Sequence, residues 1–357
     1  MNVSKSQQPP LSVVIASYNS APWLPSTLTA LSRALHAGGW VAEIVVVDDG
    51  STDGTVESLR AIAARSPHPI TVITQPNRGR FFSRWAGAEQ AQHEHLLILD
   101  SRVLVHEKSM AYLASQLVSG LDIPWNGHVV SDPSAPLVGQ FWSVPTALFW
   151  SEYLAHPRPS LITVDNFDRV PKGTGFLFIR RSIFQEASRH AWPEENAHLT
   201  SDDTKLLRFV VQRQPIRLDP GFAATYRPRT TIAQFLSHSW GRGTLFVDSY
   251  AGTSLARNVI LILLAVVPVA ASLALLVFLF SSMWIAALGI VTASLAALAV
   301  PLVLAATKRC PYRALLSYLV FVIPFGVVFV AGIARGILVH RKSFCAPTQS
   351  RPRRVRF

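Results

Sequence analysis

The first hundred residues alternate between short apolar runs and longer amphipathic stretches. Continuous apolar runs of this length are typical of strands that are covered on both faces. They predict four buried strands, at Leu11–Ala16, Glu43–Val47, Ile70–Thr74 and His95–Leu99. The amphipathic stretches predict helices at Pro22–Ala37, Thr55–Ala64 and Phe81–Gln92. Strands that alternate with helices form βαβ units, so the pattern predicts an α/β fold with a mostly parallel, doubly wound sheet.

The pattern becomes less regular after this point. Residues 121–170 are rich in Trp, Pro and Phe, and we expect irregular structure there. Phe176–Ile179 predicts a further strand, and Asp202–Gln212 predicts an amphipathic helix. Thr231–Tyr250 mixes large apolar residues with Gln, His and Arg, which is typical of amphipathic helices that lie in a membrane interface.

Three long apolar runs follow, at Asn258–Phe280, Met283–Ala306 and Ala314–Leu338. Each run exceeds the roughly 20 apolar residues that are needed to cross a bilayer. Three consecutive runs of this length are rare in soluble domains. The pattern therefore predicts three transmembrane spans rather than buried core helices.

The Lys and Arg residues around these runs give conflicting signals about topology. The loop Thr307–Arg313 is basic, which favours the cytoplasmic side and fits a hairpin that starts from a cytoplasmic head. The basic tail from Arg341 also favours the cytoplasm, yet three spans would export it. Pro324 and Gly326 interrupt the third run, so a broken, re-entrant helix is an alternative to a third span. We expect three spans and leave the side of the tail open.

Acidic residues stop at Asp248. The chain has 33 Lys and Arg against 21 Asp and Glu, and eleven of the cations follow Asp248, so residues 1–248 carry 22 against 21. The basic excess therefore belongs to the membrane part, where lipid headgroups are the expected partner. It does not mark a folded surface that tracks nucleic-acid phosphates, and we expect no nucleic-acid partner.

These signals divide the chain into five segments. They are a disordered N-terminus at 1–10, the α/β head at 11–229, interfacial helices at 230–256, a membrane region at 257–340 with spans at about 258–280, 283–306 and 314–338, and a basic tail at 341–357. The N-terminus is polar and has no apolar core of a signal peptide, so we expect the head to stay in the cytoplasm at the inner membrane. The two cysteines, Cys310 and Cys345, lack metal-ligand spacing, so we expect neither a zinc site nor a disulfide framework.

Polar residues follow the carboxyl ends of the predicted strands, where ligands bind in sheets of this kind. They are Ser17-Tyr18-Asn19, Asp48-Asp49, Gln75 to Arg80 and Asp100-Ser101-Arg102, and we expect them to line one crevice. A carboxylate at a strand end can accept hydrogen bonds from a nucleotide base or a ribose hydroxyl. For Asp48 and Asp49 a plain turn that caps the next helix is the alternative.

The stretch from Leu11 to Arg102 resembles the nucleotide-binding half of the inverting family-two glycosyltransferases, which have the GT-A fold. The matching elements are VVIASYNSAPWLPSTLTAL, EIVVVDDGSTDGT, QPNRGRFFSRWAGAEQA and LLILDSR, the last at the DxD position of the family. The resemblance implies donor-binding roles for six residues. Ser17 and Tyr18 would flank the base, Asp48 or Asp49 would bind base and ribose, and Arg80 or Arg84 would lie near the ribose or phosphates.

The DxD position departs from the family pattern. Relatives use a second Asp there to bridge Mg²⁺ or Mn²⁺ to the donor diphosphate, whereas this chain has Asp100-Ser101-Arg102. Arginine has no lone pair to offer a metal, but its guanidinium can contact a diphosphate directly. Two interpretations stay open. Asp100 holds the cation together with other groups, which we favour, or Arg102 partly replaces it.

Thr200-Ser201-Asp202-Asp203 resembles the acidic pair of the family, whose second residue is the general base. Inverting transfer needs one carboxylate to take the proton from an acceptor hydroxyl while the sugar carbon is attacked. We therefore predict Asp203 as the catalytic base, with Asp202 as its neighbour. A helix cap formed by Ser201 or Asp202 is the alternative.

Two later segments resemble the acceptor and diphosphate regions of the family. In Lys172-Gly173-Thr174-Gly175, we predict that Gly173, Thr174 and Gly175 border the acceptor, because glycine lets the backbone approach a sugar. In His238-Ser239-Trp240-Gly241-Arg242-Gly243, we predict that Arg242 stabilises the leaving diphosphate and that Trp240 stacks on a sugar. A simple turn and an interfacial anchor are the alternatives. Many relatives carry QxxRW here, and the missing Gln argues against a processive polymer synthase.

The sequence thus predicts a membrane-anchored inverting glycosyltransferase. It would take a sugar from a UDP- or GDP-linked donor and transfer it to a lipid-linked acceptor at the cytoplasmic face, for an envelope polysaccharide or glycolipid. One alternative is a polyprenyl-phosphate glycosyltransferase, whose anionic acceptor needs no base. Another is a membrane protein that binds nucleotide sugar without catalysis, which the changed DxD position suggests.

Overall fold

A computed structural model describes residues 8–193, 197–201 and 203–345. Within these residues one sheet contains nine strands. They are β1 Leu11–Ser17, β2 Ala42–Asp48, β3 Ile70–Thr74, β4 His95–Asp100, β5 Val103–Val105, β6 Trp125–Ser131, β7 Ser160–Ile162, β8 Phe176–Arg180 and β9 Ile216–Tyr226. Their order is β3-β2-β1-β4-β8-β6-β9-β5, and β7 pairs with β9. The predicted α/β class is confirmed.

The half of the sheet formed by β1 to β4 is parallel. β1 lies between β2 and β4, and β3 lies outside β2. β1 and β2 are buried along their whole length. Val13 and Ile15 of β1 point into one hydrophobic cluster and Val14 points into another, on the opposite face. Continuous apolar runs were needed here because both faces of these strands are covered.

The other half of the sheet is mixed. β8 runs antiparallel to β4 and to β6, β6 runs parallel to β9, and β5 and β7 run antiparallel to β9. Residues 121–170 contain β6 and β7, so the expectation of irregular structure there was wrong in part. β6 has the sequence WNGHVVS, whose buried first half includes Asn126 and Gly127. A strand with buried polar and small residues gives no apolar run to detect.

Helices cover both faces of the sheet and continue into the membrane part. They are α1 Leu24–Ala37, α2 Thr55–Ala63, α3 Arg80–Gln90, α4 Ser109–Val118, α5 Ser143–Phe149, α6 Ser151–Ala155, α7 Arg181–His190, α8 Thr204–Val211, α9 Ile232–Tyr250, α10 Leu255–Phe280, α11 Trp284–Thr307, α12 Tyr312–Val339 and α13 Arg341–Cys345. α1, α2 and α4 pack on one face, and α3, α7 and α8 on the other.

α10, α11 and α12 have the length and the apolar composition that a bilayer span requires. The third of them runs without a break from Tyr312 to Val339, although Pro324 lies inside it. Proline is tolerated in such helices when neighbouring groups satisfy the freed backbone atoms. The region expected to form interfacial helices contains a single long helix, α9, which lies against α12.

Glycines allow α9 and α12 to approach closely. A Cβ added to Gly332 would lie 2.3 Å from the carbonyl oxygen of Trp240, and one added to Gly243 would lie 2.5 Å from that of Phe329. The hydroxyl of Thr244 donates a hydrogen bond to the carbonyl of Gly332 at 3.0 Å. Small residues are typical of helix pairs that pack closely in or beside a membrane.

We expect Gly332→Ala to separate these two helices. The new methyl group meets backbone that cannot rotate away, and overpacking of this kind costs about 1–3 kcal/mol. Gly326→Ala is the matched control on the same helix, because no atom lies within 4 Å of its added Cβ. Thermal unfolding in detergent should show a lower midpoint for Gly332→Ala and an unchanged or higher one for Gly326→Ala. Equal midpoints would contradict the close packing.

Candidate active site

The parallel register brings three polar side chains together at the carboxyl edge of the sheet. Ser17 at the end of β1 pairs with Asp48 at the end of β2. Ala16 pairs with Asp100 at the end of β4. The crevice expected from the sequence therefore has its strand-end groups on three adjacent strands, where ligands of such sheets bind.

Asp48 has one carboxylate oxygen without a partner at this edge. Its side chain is buried, and its Oδ2 accepts a hydrogen bond from the backbone N–H of Ser51 at 3.0 Å. Its Oδ1 and the Oγ of Ser17 are buried without a hydrogen-bond partner in the described part of the chain. An unsatisfied buried polar atom costs about 1–3 kcal/mol. Both atoms are therefore suited to a ligand that supplies hydrogen-bonding groups.

Asp49 holds the loop that precedes α3. Its Oδ1 accepts hydrogen bonds from the side-chain amide of Gln75 at 2.7 Å and from the backbone N–H of Arg78 at 2.9 Å. Its Oδ2 accepts one from the backbone N–H of Gly79 at 2.7 Å. Both oxygens are thus engaged within the protein. Of the two acidic residues, Asp48 is the better candidate for contact with a ligand.

Asp100 is fixed by a buried arginine. Nη2 of Arg84 donates to Oδ1 of Asp100 at 2.6 Å, and Nη1 of Arg84 donates to the hydroxyl of Thr174 at 2.6 Å. The Arg84 side chain is 3% exposed, whereas that of Asp100, at the carboxyl end of β4, is 26% exposed. A Cβ on Gly175 would lie 2.8 Å from Oδ2 of Asp100. Arg84, Thr174 and Gly175 therefore position Asp100.

Arg102 makes no hydrogen bond to the Asp100 carboxylate within the residues that the structure describes. Its guanidinium lies over the ring of Trp23, 4.2 Å from the ring centre. Its Nη1 donates to the carbonyl oxygens of Arg227 and Pro228 at 3.4 and 3.3 Å. Burial, followed by the charge of Arg229, lowers the pKa of Arg102 to about 10. The side chain belongs to a basic group rather than to a metal-binding pair.

This basic group includes two residues of α9, and its members interact electrostatically. They are Arg80, Arg102, Arg229, His238 and Arg242. Burial, followed by the charges of Arg229 and Arg242, holds the pKa of His238 well below its ordinary value. The neutral ring accepts a hydrogen bond from Nε of Arg242 at 3.1 Å. So many cations beside one cleft favour an anionic ligand with several oxygens, such as a diphosphate.

Asp203 caps α8 and keeps one oxygen available. Its Oδ1 accepts hydrogen bonds from the backbone N–H of Thr204 and, at 2.9 Å each, from the hydroxyls of Ser201 and Thr204. Its Oδ2 makes no hydrogen bond to any residue that the structure describes. Asp203 also attracts the charges of Lys172 and Arg242. Asp203 can therefore cap α8 through Oδ1 and still offer Oδ2 as the predicted base. Asp202 lies outside the described residues.

A buried carboxylate of α9 holds the loop before α8. Asp248 is 3% exposed and accepts hydrogen bonds from the backbone N–H of Ser201 at 2.8 Å and from Nζ of Lys205 at 2.6 Å. Nδ1 of His340 lies 3.3 Å from the same carboxylate, and its Nε2 lies 3.0 Å from the carbonyl oxygen of Leu199. Sequence reasoning missed Asp248, because nothing in the local pattern marks a contact with residues 47 and 92 positions away.

A second basic group lies near Asp203. It consists of Lys172, Arg208 and Arg257, with Asp168 between the two arginines at 3.6 and 2.6 Å. Burial lowers the pKa of Lys172 to about 8. One guanidinium nitrogen of Arg208 is buried without a hydrogen-bond partner among the described residues. The roles of Arg208 and Arg257 were not predicted, since the three cations come from distant parts of the chain.

Three more predicted residues, Tyr18, Gly173 and Trp240, differ in how close they lie to the crevice. Tyr18 is half exposed at the edge of the crevice. The Cβ position of Gly173 faces open space, and its N–H donates to Oδ1 of Asn126 at 2.9 Å. Trp240 is not brought to the crevice. It lies two residues from both His238 and Arg242, about half a turn away at 3.6 residues per turn, and therefore on the opposite face of α9.

Comparison with known proteins supports the resemblance. The family described as "Glycosyl transferase family 2" matches residues 12–187. The chain carries a family 2 glycosyltransferase domain. The match includes Ser17, Asp48 and Asp100 and ends before Asp203. The predicted family-two glycosyltransferase domain is confirmed, and the three long apolar helices follow the matched region.

Curated relatives from several bacteria carry the name undecaprenyl-phosphate 4-deoxy-4-formamido-L-arabinose transferase, and two of them show the range of similarity. The one from Pseudomonas paraeruginosa (strain DSM 24068 / PA7) is 33% identical over 114 residues, which cover 32% of this chain and 34% of the relative. The one from Aeromonas hydrophila subsp. hydrophila is 29% identical over 114 residues, covering 32% and 35%. This chain thus matches about a third of the length of these relatives.

A solved structure shares the fold. A mannosyltransferase from Pyrobaculum calidifontis, in complex with GDP-Man and Mn²⁺, has a TM-score of 0.52 at 16% identity. The similarity covers 93% of this chain and 88% of the mannosyltransferase. The GT-A architecture followed by apolar helices is therefore confirmed.

Proposed function

We propose that this protein is a membrane-anchored, inverting glycosyltransferase that moves a sugar from a nucleotide-diphosphate donor to a lipid-linked acceptor. The observation that carries the proposal is the crevice itself. The carboxylates of Asp48 and Asp100 share one edge of the sheet, and Arg102, which follows the strand of Asp100, belongs to a group of arginines around His238 of α9. We place the head on the cytoplasmic side of the inner membrane, where nucleotide sugars are made.

The donor would lie along the carboxyl edge of the sheet. Ser17 and Asp48, with their unpartnered buried oxygens, would bind the nucleoside, and Tyr18 would lie against its base. Arg80, Arg102 and Arg242 would bind the diphosphate through charge-assisted hydrogen bonds. As the bond to the sugar breaks, negative charge grows on the leaving diphosphate, and fixed cations stabilise it.

A divalent cation fits at Asp100. The described residues contain no group of three or more acidic, His or Cys side chains that could hold a metal alone. Mg²⁺, however, commonly binds through one or two carboxylates together with substrate phosphates. Asp100 offers a partly exposed carboxylate, and the donor would complete the site. The cation would neutralise charge on the diphosphate, a task that Arg102 and its neighbours share.

The acceptor that the charges favour is a lipid phosphate of the polyprenyl class. The second basic group, Lys172, Arg208 and Arg257, lies beside Asp203, and Arg257 is in the first turn of α10. A phosphate on a lipid in the adjoining bilayer would reach these cations at the membrane surface. The names of the curated relatives point to the same class of acceptor.

The test is a transfer assay on membranes that contain the full chain. Radiolabelled UDP- and GDP-sugars are supplied with undecaprenyl phosphate or with a lipid extract from which phosphates have been removed, with and without EDTA. Transfer to undecaprenyl phosphate that EDTA abolishes and Mg²⁺ or Mn²⁺ restores supports both the acceptor and the cation. Nucleotide binding without any transfer would instead support the non-catalytic alternative.

Asp203→Asn separates the two acceptor classes. Asparagine caps helices as well as aspartate does, so α8 should remain intact. A lipid phosphate is already anionic, and we expect the rate on undecaprenyl phosphate to stay within about tenfold of the original. A hydroxyl acceptor needs the base, and its loss costs about 10²- to 10⁴-fold. The measurement is the initial rate of transfer by the original protein and by Asp203→Asn, with donor and acceptor at saturating concentrations.

The second candidate, transfer to a lipid-linked hydroxyl, rests on the available Oδ2 of Asp203. A loss of more than about 10²-fold in Asp203→Asn, with unchanged donor binding, would favour it over the lipid phosphate. Lys205→Gln is a useful companion variant, because it perturbs the same loop through Asp248 without touching Asp203.

The pKa of Lys172, about 8, predicts a pH dependence for the acceptor. The side chain is cationic below this pH and loses its charge as the pH rises through it. We expect the KM for the lipid phosphate to rise between about pH 7.5 and 9. Lys172→Arg keeps the charge throughout this range and should flatten the profile. The same slope in both proteins would show that Lys172 does not bind the acceptor.

A further inference from the structure

Both ends of α12 contact the head. Near its beginning, Arg313 donates hydrogen bonds to the carbonyl oxygens of Pro133 at 2.9 Å and Ala135 at 3.1 Å. Just beyond its last residue, His340 reaches the carbonyl oxygen of Leu199 at 3.0 Å. These three head residues belong to the same folded α/β unit, and the head lies on one side of the membrane.

The middle of α12 also packs on head residues. Phe141 stacks on Tyr318 with ring centres 5.6 Å apart and lies 4.5 Å from the ring of Phe325. The helix has 28 residues, which corresponds to about 42 Å. A helix that crosses the roughly 30 Å hydrocarbon layer would have its ends on opposite sides. Contacts with one head near the beginning, in the middle and just beyond the end of the helix contradict such a crossing.

The two preceding helices behave differently. At the start of α10, Arg257 contacts Asp168 of the head at 2.6 Å. Just after α11, Nζ of Lys308 donates to the hydroxyl of Ser151 at 2.6 Å. The chain between them therefore leaves the head and returns to it, with Ser282 in the turn that joins the helices. This is the arrangement of a membrane hairpin.

We infer that α10 and α11 cross the bilayer as a hairpin, and that α12 lies in the membrane interface beneath the head, so that the tail stays on the side of the catalytic domain. Along its length, α12 has one face of buried side chains and another of exposed apolar side chains, as a helix in the membrane interface beneath a folded domain requires. Its buried side chains, Ala314, Tyr318, Phe321 and Ile333 among them, face α9 and the head. Its exposed side chains include Leu316, Leu319, Ile323, Val327 and Leu338, which would enter the lipid.

The charges of this region agree with the interfacial position. Arg309, Arg313, Arg341 and Lys342 flank α12 at its two ends, and no acidic residue follows Asp248. With an even number of crossings, all four cations lie on the side of the head. The conflict between three spans and the positive-inside rule then disappears. The partner of this surface is the headgroup layer of an anionic bilayer.

Spin labels on single cysteines test the depth of α12 directly. Starting from full-length protein with Cys310 and Cys345 replaced by Ser, the label is placed at Val327, near the middle of α12, or at Leu295, near the middle of α11. Both side chains are exposed, 67% and 57%. In vesicles with anionic lipid, we expect the Leu295 label to be accessible to oxygen and protected from a water-soluble nickel reagent. The Val327 label should lie measurably closer to the headgroups, and equal depths would overturn the inference.

Topology supplies an independent test that does not depend on transferase activity. Single cysteines at Glu57, Ser282 and Ser350 are exposed to a membrane-impermeant maleimide in sealed inverted vesicles, and again after detergent to show that each reacts. We expect Glu57→Cys and Ser350→Cys to react from the same side and Ser282→Cys only after detergent. Reaction of Ser350→Cys with the pattern of Ser282→Cys would establish a third span. A C-terminal epitope should likewise be removed by protease added to inverted vesicles.

Discussion

Asp100→Asn is expected to lower kcat/KM for sugar transfer by about 10²- to 10³-fold, the range seen when one preorganised electrostatic group is removed from an active site. Two effects act together. The carboxylate that would hold the cation or the donor is neutralised, and the ion pair between Asp100 and the buried guanidinium of Arg84, at 2.6 Å, is lost. Steady-state rates with varied donor measure the first effect, and thermal unfolding measures the second.

Asp122→Asn is the matched control for this prediction. Asp122 also pairs with an arginine, Arg180, but that pair is partly exposed and Arg180 lies beside His95, at the opposite end of β4 from Asp100. Exposed ion pairs contribute about 0–1 kcal/mol, so activity and stability should change little. If Asp100→Asn left kcat/KM within a few-fold of the original, the assignment of the crevice as the donor site would be wrong.

Arg242→Gln is expected to reduce kcat by about 10²- to 10³-fold, because the proposed role of this cation is to stabilise charge that develops on the leaving diphosphate. Arg242 lies 5.0 Å from the ring of Trp142 and donates to His238, among several other arginines. Like charges repel one another until an anion binds. The variant should therefore unfold at the same or a higher temperature without ligand and gain less stability from donor nucleotide.

Arg335→Gln controls for the loss of one arginine in the membrane part. Arg335 is exposed on α12 and has no place in the crevice, so its replacement should leave kcat unchanged. The informative readouts are kcat with saturating substrates and the shift of the unfolding midpoint on adding UDP or GDP. An Arg242→Gln enzyme with normal kcat and a normal nucleotide shift would remove Arg242 from the site.

The parallel half of the fold could be read directly from the sequence. Three of its strands, β1, β2 and β4, are buried on both faces and so appear as apolar runs, and their carboxyl ends carry Ser17, Asp48 and Asp100. The fourth, β3, lies at the edge of the sheet and is only partly buried, so the prediction of a buried strand there was wrong. The mixed half could not be read in this way. β9 contains Asp219, Pro220 and Gly221 in its middle, which interrupt any apolar run, and its partner β6 lies far away in the chain.

The sequence predicted the site residues that lie at strand ends. It predicted much less well those whose positions depend on contacts between distant parts of the chain. Asp49 looked equivalent to Asp48, but its oxygens are taken by the loop at Gln75 to Gly79. Trp240 was grouped with Arg242 because their segment stands where many relatives carry QxxRW, although a helix places residues two apart on opposite faces. Asp248 gave no signal, since its partners come from α8 and from the end of α12.

The loop held by Asp248 also limits how the enzyme can be produced. A soluble fragment that ends after Arg229 would lack the Asp248 carboxylate, which accepts hydrogen bonds from Ser201 and Lys205. It would also expose Phe141 and Val138, which are covered by α9 and α12 in the intact chain. Such a fragment should aggregate on expression. Purification in detergent or in lipid nanodiscs is therefore the route to a native preparation, because the bilayer-facing helices complete the catalytic half.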